Sequence, residues 1–304
     1  MPVVFGIAVL VFVVLLVMPG NPAELIQGEM ANPEVTAALV ERWGLDEPPP
    51  IRLVRWAESL IHLDLGQSLV TGRPVAEMLL PRLAWSAYVG VLGMLLGIVI
   101  GLPIGILSAV RPNSALDYVS TMAALVGLSL PVFVTGLILQ FVFGFHLRLF
   151  PISGAASSIW DLQGLSFVIL PAIAVAIPDA AVLARVSRTT LLDVIQADYI
   201  RTAHSKGLAE RGVIVKHALP NVLISVVTLI GVNLKSVISG LLVVEIVFGW
   251  PGIGRLFYDA VQQRDYPVIQ AVALTIAIGV YAINLLVDVL YAFIDPRIRV
   301  GNSQ

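Results

Sequence analysis

The chain has 304 residues, 58% of them hydrophobic and only 12% charged, with a mean hydropathy of +0.93. Soluble globular chains carry charge on about a quarter of their residues, so most of this one is built for a bilayer. A net charge of −2, from 18 Lys and Arg against 20 Asp and Glu, argues against a nucleic-acid partner, and the lack of cysteine excludes disulfides, thiolate metal sites and thiol redox chemistry.

In chain order, the apolar run Val3 to Met18 predicts a first transmembrane helix over residues 1–18, shortened at its start. Without a basic n-region or a small-x-small cleavage site, it reads as a retained helix and not as a removed signal peptide. Residues 19–82 form a partly helical external segment. NPAE at 21–24 and NPEV at 32–35 each offer Asn as N-cap and Pro at the first helical position, so two short helices are expected, the second ending near Gly44. DEPPP then interrupts the chain before an amphipathic run from Ile51 to His62, and TGRPVAEMLLPRL at 71–83 predicts an interfacial helix.

Residues 83–304 form the transmembrane domain. Apolar stretches at 84–110, 118–146, 166–185, 222–248 and 267–294 each reach the roughly 20 residues a bilayer requires. With the first run they predict an all-α membrane protein of six transmembrane helices. Gly93, Gly97, Gly101 and Gly105 recur every fourth residue, the pattern that lets two helix backbones approach closely. Pro103, Pro131, Pro171 and Pro178 fall inside spans, where kinks are tolerated.

Lys and Arg in the short loops set the orientation. An even number of spans puts both termini on the side that holds Arg111, Arg185, Arg188, Arg201, Lys206, Arg211, Lys216, Arg297 and Arg299, so that side, including the loop 186–221, is cytoplasmic. Ionisable residues at membrane depth are functional candidates because each is costly to insert. Lys235 and Glu245 are candidates for a substrate pathway, and Asp179 and Asp288 for structural ion pairs; for Lys235, snorkelling or pairing with a neighbouring carboxylate is an equal alternative. The four His lie in loops or at span ends, and no HExxH, GxGD or GxxxxGK[ST] occurs. Membrane proteolysis and ATP hydrolysis by this chain are therefore unexpected.

The polar stretch DYIRTAHSKGLAERGVIVKHALPN divides at Gly207. Before it, Leu192, Ile195, Tyr199 and Ala203 recur at helical spacing; after it, a second short helix is expected from Glu210 to Ala218, ended by Pro220. Two short helices about a glycine turn make a protruding elbow, which a loop obeying charge topology alone would not need.

Here the sequence resembles the inner-membrane permeases of binding-protein-dependent ABC importers, in the subgroup for dipeptides, oligopeptides and nickel. Their general signature is EAA, three residues, Gly, nine residues, then I-x-L-P. Counting from Gly207, Arg201, Thr202 and Ala203 occupy EAA, His217 the Ile, and Leu219 and Pro220 the final pair; RTA before xxKG is the form that subgroup uses. DLGQSLVTGRPV, GLPIGILSAV, GLSLPVF, VVEIVFGWPGIGR, RDYPVIQ and NLLVDVLYAFIDPRIR follow the subgroup's wording in order, while Lys235 stands where a small residue is usual.

The resemblance implies a multi-pass subunit of a prokaryotic inner or plasma membrane, forming half of a peptide translocation pathway. Its partners would be a homologous second permease, two ABC ATPases, an external substrate-binding protein and membrane lipid. ATP and Mg would belong to the ATPases, with no cofactor, metal or catalytic residue in this chain. The ATPase-coupling residues would be Tyr199, Arg201, Thr202, Ala203, Lys206, Gly207 and Leu208. A nickel or other small-solute importer is the nearer alternative. Farther off stand an ion-coupled secondary transporter relaying through Lys235, Asp179 and Asp288, and a structural scaffold.

Overall fold

The Asn residues that open the two NP motifs act as expected in the computed structural model, which describes residues 2–17, 21–27, 32–158 and 162–294. Asn21 Oδ1 accepts from the Ala23 amide and Asn32 Oδ1 from the Glu34 amide, both at 2.9 Å, which satisfies donors that have no partner inside the helix. They precede α2 (Pro22–Gln27) and α3 (Pro33–Arg42), after α1 (Pro2–Val17). Gly44, at φ +60, turns the chain after α3, and α4 (Pro49–Ile61) begins inside the proline run. No strand occurs among the described residues, and the remaining elements are all helical: α5 (Val75–Val110), α6 (Ala115–Ser129), α7 (Val132–Leu139), α8 (Leu162–Ile195), α9 (Asp198–Ser205), α10 (Glu210–Val213), α11 (Leu219–Val247), α12 (Ile253–Gln263) and α13 (Tyr266–Ile294). The chain divides into one unit of residues 1–86 with 251–282 and another of 87–250 with 283–304.

The first unit is organised by Asp265, which is buried. Its carboxylate accepts from the Ser68 hydroxyl and, at 3.0 Å, from the Leu69 amide. Arg264 before it closes α12 in the left-handed region, and Gly66 and Gly72, at φ +78 and +68, fold residues 66–75 into a tight turn around Ser68. This explains two stretches far apart in sequence: DLGQSL supplies the donors and RDYP the acceptor. Around this knot Leu15, Val75, Leu79, Ile253, Leu256, Val268 and Val272 form one apolar core.

In the second unit the glycine stripe on α5 meets α8. A Cβ on Gly101 would lie 2.5 Å from the Ala180 carbonyl oxygen, and one on Gly105 would strike that of Ala184; at Gly93 and Gly97 it would meet the Val175 and Asp179 side chains first, with the Ala172 and Ala176 carbonyls at 3.2 and 3.4 Å. Glycines and alanines both rise in steps of four along the chain, so the two helices run parallel and in register. The segment between α5 and α8 must therefore carry the chain back along the length of α5. It does so through α6, a break at Leu130–Pro131, and α7 continued by a π-helical turn (Gln140–His146), with a 109° bend at the break. Leu130 takes an extended conformation, as a residue before proline prefers, and the expected single span 118–146 is thus a broken one.

Two other expectations need correction. No separate interfacial helix spans 71–83: residues 75–83 are the first turns of α5, whose 36 residues reach about 54 Å at 1.5 Å per residue. Nor does Pro220 end a helix at Ala218. Residues 214–218 form a π-helical turn leading into α11, with Pro220 in its first turn, where a missing amide hydrogen is harmless. Among the described residues, four helices are long and apolar enough to cross a membrane, or five spans if the bent pair counts as one; α1, at 16 residues, is shorter.

Each unit offers a stability test. Gly101→Ala should destabilise the detergent-solubilised protein by roughly 1–3 kcal/mol through overpacking, whereas Gly279→Ala, where a Cβ meets nothing within 4 Å, should leave the thermal midpoint unchanged or slightly raised. Asp265→Ala should cost about 1–3 kcal/mol, because it leaves a buried hydroxyl and a half-buried amide without an acceptor, and should make residues 61–74 readily cleaved by protease.

Candidate functional site

The elbow belongs to the second unit, and its two faces differ. After α8 ends, Ala197 takes an extended conformation and re-aims the chain into α9. Ile200, 1% exposed, and Ala203 then point into an apolar core shared with Leu183 and Leu191 of α8, Ala109 of α5, Val213 of α10, and Val222 and Val226 of α11. Arg201, Thr202, Lys206, Gly207 and Leu208 are exposed, as is Tyr199 at 47%. The expected apolar stripe is thus corrected: Ile200, not Tyr199, joins Ala203 on the buried face, because the break at 196–197 resets the helical phase. Tyr199 is instead fixed at its hydroxyl, which accepts from Asn221 Nδ2 at 2.9 Å; the same amide donates to the His217 carbonyl. Of the seven expected coupling residues, Ala203 anchors and the other six are surface.

Gly207 sits at φ +76, and no neighbouring atom lies within 4 Å of the point that the first carbon of a side chain would occupy. Its amide donates to the His204 carbonyl at 2.9 Å, and two residues later the Ala209 carbonyl accepts from Gly212 and Val213 to start α10. Conformation, and not space, is what requires glycine here. Around it Arg201, His204, Lys206, Arg211 and Lys216 are all exposed, with Leu208 and Val215 as apolar points among them. The Arg201–Asp198 contact at 3.6 Å is fully solvated and contributes little.

The membrane-depth candidates do not converge. Glu245 is 1% exposed, enclosed within the second unit near the end of α11, where its carbonyl accepts from the Trp250 amide at 2.8 Å. Asp179 lies half-buried on the side of α8 that meets Gly97, and makes no ion pair among the described residues. The side chains of Lys235 and Asp288 lie outside the described residues.

A group that sequence patterns did not single out stands behind the elbow. Arg188 of α8 grips Asp117 of α6 through both carboxylate oxygens, Nε to Oδ1 at 2.6 Å and Nη2 to Oδ2 at 2.8 Å. Asp117 is 3% exposed and also accepts from the Ser108 hydroxyl of α5 and the Asn113 amide. Its own amide donates to Ser114 Oγ, the N-cap of α6. The pattern Ser114-x-x-Asp117 before an apolar run was a legible capping signal, but only the fold brings Arg188 to it.

Among the described residues, cavities also lie outside the elbow, including a small one of about 60 Å³ beside Ser108, Ser120 and Arg188 and two larger ones. One of about 350 Å³ in the second unit is lined by Ile100, Ile104, Val119, Ile173 and Ile177 among other apolar residues, and offers a polar solute almost nothing to bond. The other, about 300 Å³ in the first unit, mixes Trp43 and Trp56 with Arg52, Arg55 and Gln270. Trp56 stacks on Phe12 of α1 at 6.4 Å, and Arg55 is engaged by Glu47 at 2.7 Å.

Residues 101–300 match the family model described as binding-protein-dependent transport system inner membrane component. Among curated relatives, the chain is 39% identical to the dipeptide transport system permease protein DppB of Alkalihalophilus pseudofirmus and to the oligopeptide transport system permease protein AppB of Bacillus subtilis, in each case over 98% of this chain and 96% of the relative. It is equally similar, at 39%, to the glutathione transport system permease protein GsiC of Salmonella paratyphi A, over 98% of this chain and 95% of that one. Among solved structures, the inward-facing MetNI methionine ABC transporter superposes with a TM-score of 0.59 at 18% identity, covering 72% of this chain and 96% of that one, a likeness of fold alone. With a family match over the region that contains the elbow, and near-full-length relatives of one kind, this chain belongs to the inner-membrane component family of binding-protein-dependent transport systems.

Proposed function

We propose that this chain is the transmembrane permease subunit of an ATP-driven importer of dipeptides or oligopeptides, forming half of the translocation pathway beside a homologous second permease. The observation that carries the substrate class is the agreement of the full-length relatives, whose names specify a dipeptide, an oligopeptide and glutathione, all short peptides. The chain itself performs no ATP chemistry; two ABC ATPases bind ATP and Mg, and an external protein delivers the substrate.

In this reading the bent pair α6–α7 counts as one span and α1 as another, which makes six and puts both termini in the cytoplasm with the elbow. The exposed face of α9 and the turn at Gly207, through Tyr199, Arg201, Thr202, Lys206 and Leu208, dock in a cleft of one ATPase, while Ile200 and Ala203 hold α9 to the transmembrane core. A closing ATPase pair would displace the elbow, and a docked lever shifts the equilibrium between inward- and outward-open states only through contacts that differ between them. Lys235 serves as a pathway residue and Asp288 as a structural one. Glu245, being enclosed, shapes the wall of the pathway from behind. The Trp- and Arg-lined cavity of the external segment receives the binding protein.

The elbow reading is tested with a series at one position. Because the obstacle at Gly207 is positive φ, Gly207→Asn should retain most uptake, Gly207→Ala less, and Gly207→Val should lower vanadate-sensitive peptide uptake in proteoliposomes by roughly tenfold or more, the β-branched residue being least tolerant of that conformation, with the complex still assembled. Full uptake by Gly207→Val, or uptake abolished by a protonophore and indifferent to vanadate, would reject the reading.

A further inference from the structure

We infer that Asp117 and Arg188 are positioning residues that bind α5, α6 and α8 into one rigid body behind the elbow, so that displacement of α9 reaches the bent pair α6–α7 and does not dissipate in α8. This rests on the proposed docking of the elbow.

Four features of the geometry lead to it. Arg188 lies near the end of α8, on the helix that leads into α9, and its bidentate grip on Asp117 adds a directional joint at the start of α6 to the apolar packing of α6 on α8 at Gly127, Ile177 and Ala181. Asp117 is nearly inaccessible, so its charge is kept by fixed donors from three places: the guanidinium, the Ser108 hydroxyl of α5 and the Asn113 amide in the turn between α5 and α6. Asn113 adopts φ +59 to present that amide, a conformation uncommon for a residue with a side chain, and Ser120 extends the network by donating to Ser108 at 3.1 Å. Lastly, the α5–α8 seam has backbones touching at Gly101 and Gly105, which leaves no room for the two helices to slide.

A bidentate guanidinium–carboxylate pair fixes orientation as well as distance, which an apolar contact does not. The elbow core sets where α9 sits on α8 and α5, but α6 contributes no buried residue to it. The ion pair thus supplies a directional tie between the lever and the bent span α6–α7, which turns by 109° at Leu130–Pro131.

The test uses the complete importer in proteoliposomes, with dipeptide uptake and ATP hydrolysis measured on the same preparation. Asp117→Asn and Arg188→Gln should keep the ATPases bound and hydrolysing, while peptide taken up per ATP falls about tenfold, within the range of coupling between linked sites. The double variant should be no worse than either single one, since one joint is lost in all three, and Arg188→Lys should recover part of the ratio. An unchanged ratio, or hydrolysis falling in step with uptake in an assembled complex, would overturn the proposal. Should Asp117→Asn and Arg188→Gln fail to assemble, Arg188→Lys, which keeps the charge and loses the two-pronged grip, carries the same readout: an uptake-to-ATP ratio below wild type supports the joint and a wild-type ratio rejects it. Failure of the elbow reading shows separately, as wild-type uptake by Gly207→Val.

Discussion

The seam between α5 and α8 is the constraint from which the second unit follows. Lipid offers no hydrophobic drive for helices to associate, so association depends on close packing, and here four glycines meet four alanines at the same offset along two parallel helices. Parallel register forbids a short hairpin between them. The chain must travel back once, and the return leg is the one that breaks, at Leu130–Pro131. The same register gathers the C-terminal ends of α5 and α8 together with the start of α6 and of α11, and so creates the end of the unit at which α9 and α10 seat.

Around that end, anchoring and presentation are separated by position. Buried residues of α9 come three and six places after the chain break at Ala197, and the residues between and after them face outward with their charges solvated. Gly207 needs no special room, only its backbone angle, which keeps the exposed tip short. In the proposed mechanism this arrangement is what a lever requires: a fixed root, a compact tip and a bend that thermal motion does not straighten.

Much of this was legible in the sequence because it depends on local chemistry. The Asn-Pro caps, the glycine period and the turn at Gly207 are each set by a few adjacent residues, and each lies where the pattern put it. Expectations went astray where distant partners decide. Proline in an apolar run signals a disturbance but not its size, so Pro131 broke its span while Pro171 and Pro178 sit within an unbroken α8, and Pro220 was accommodated by a π-helical turn. Tyr199 matched the spacing of a helix that in fact ends before it. Asp117 and Asp265 were overlooked because a lone acidic residue near a helix end looks like surface charge until its partner, 71 residues away for Arg188 and 197 for Ser68, is known.

Those two carboxylates share a design that bears on why a chain with so few charges keeps them buried. Each sits at a junction between a loop and a helix, each is met by a serine hydroxyl and a backbone amide, and each joins segments remote in sequence. Replacing a buried ion pair by apolar groups is often neutral or stabilising, so stability is a poor reason to retain one. A carboxylate with several fixed donors does something an apolar contact cannot: it is satisfied in one arrangement and costly in every other. Among helices held by close packing, such a joint adds a fixed orientation to a fixed distance and so defines which surfaces move together. In the proposed mechanism that leaves rearrangement to places without such a joint, and the break in α6–α7, bent by 109° at Leu130–Pro131, is one of them.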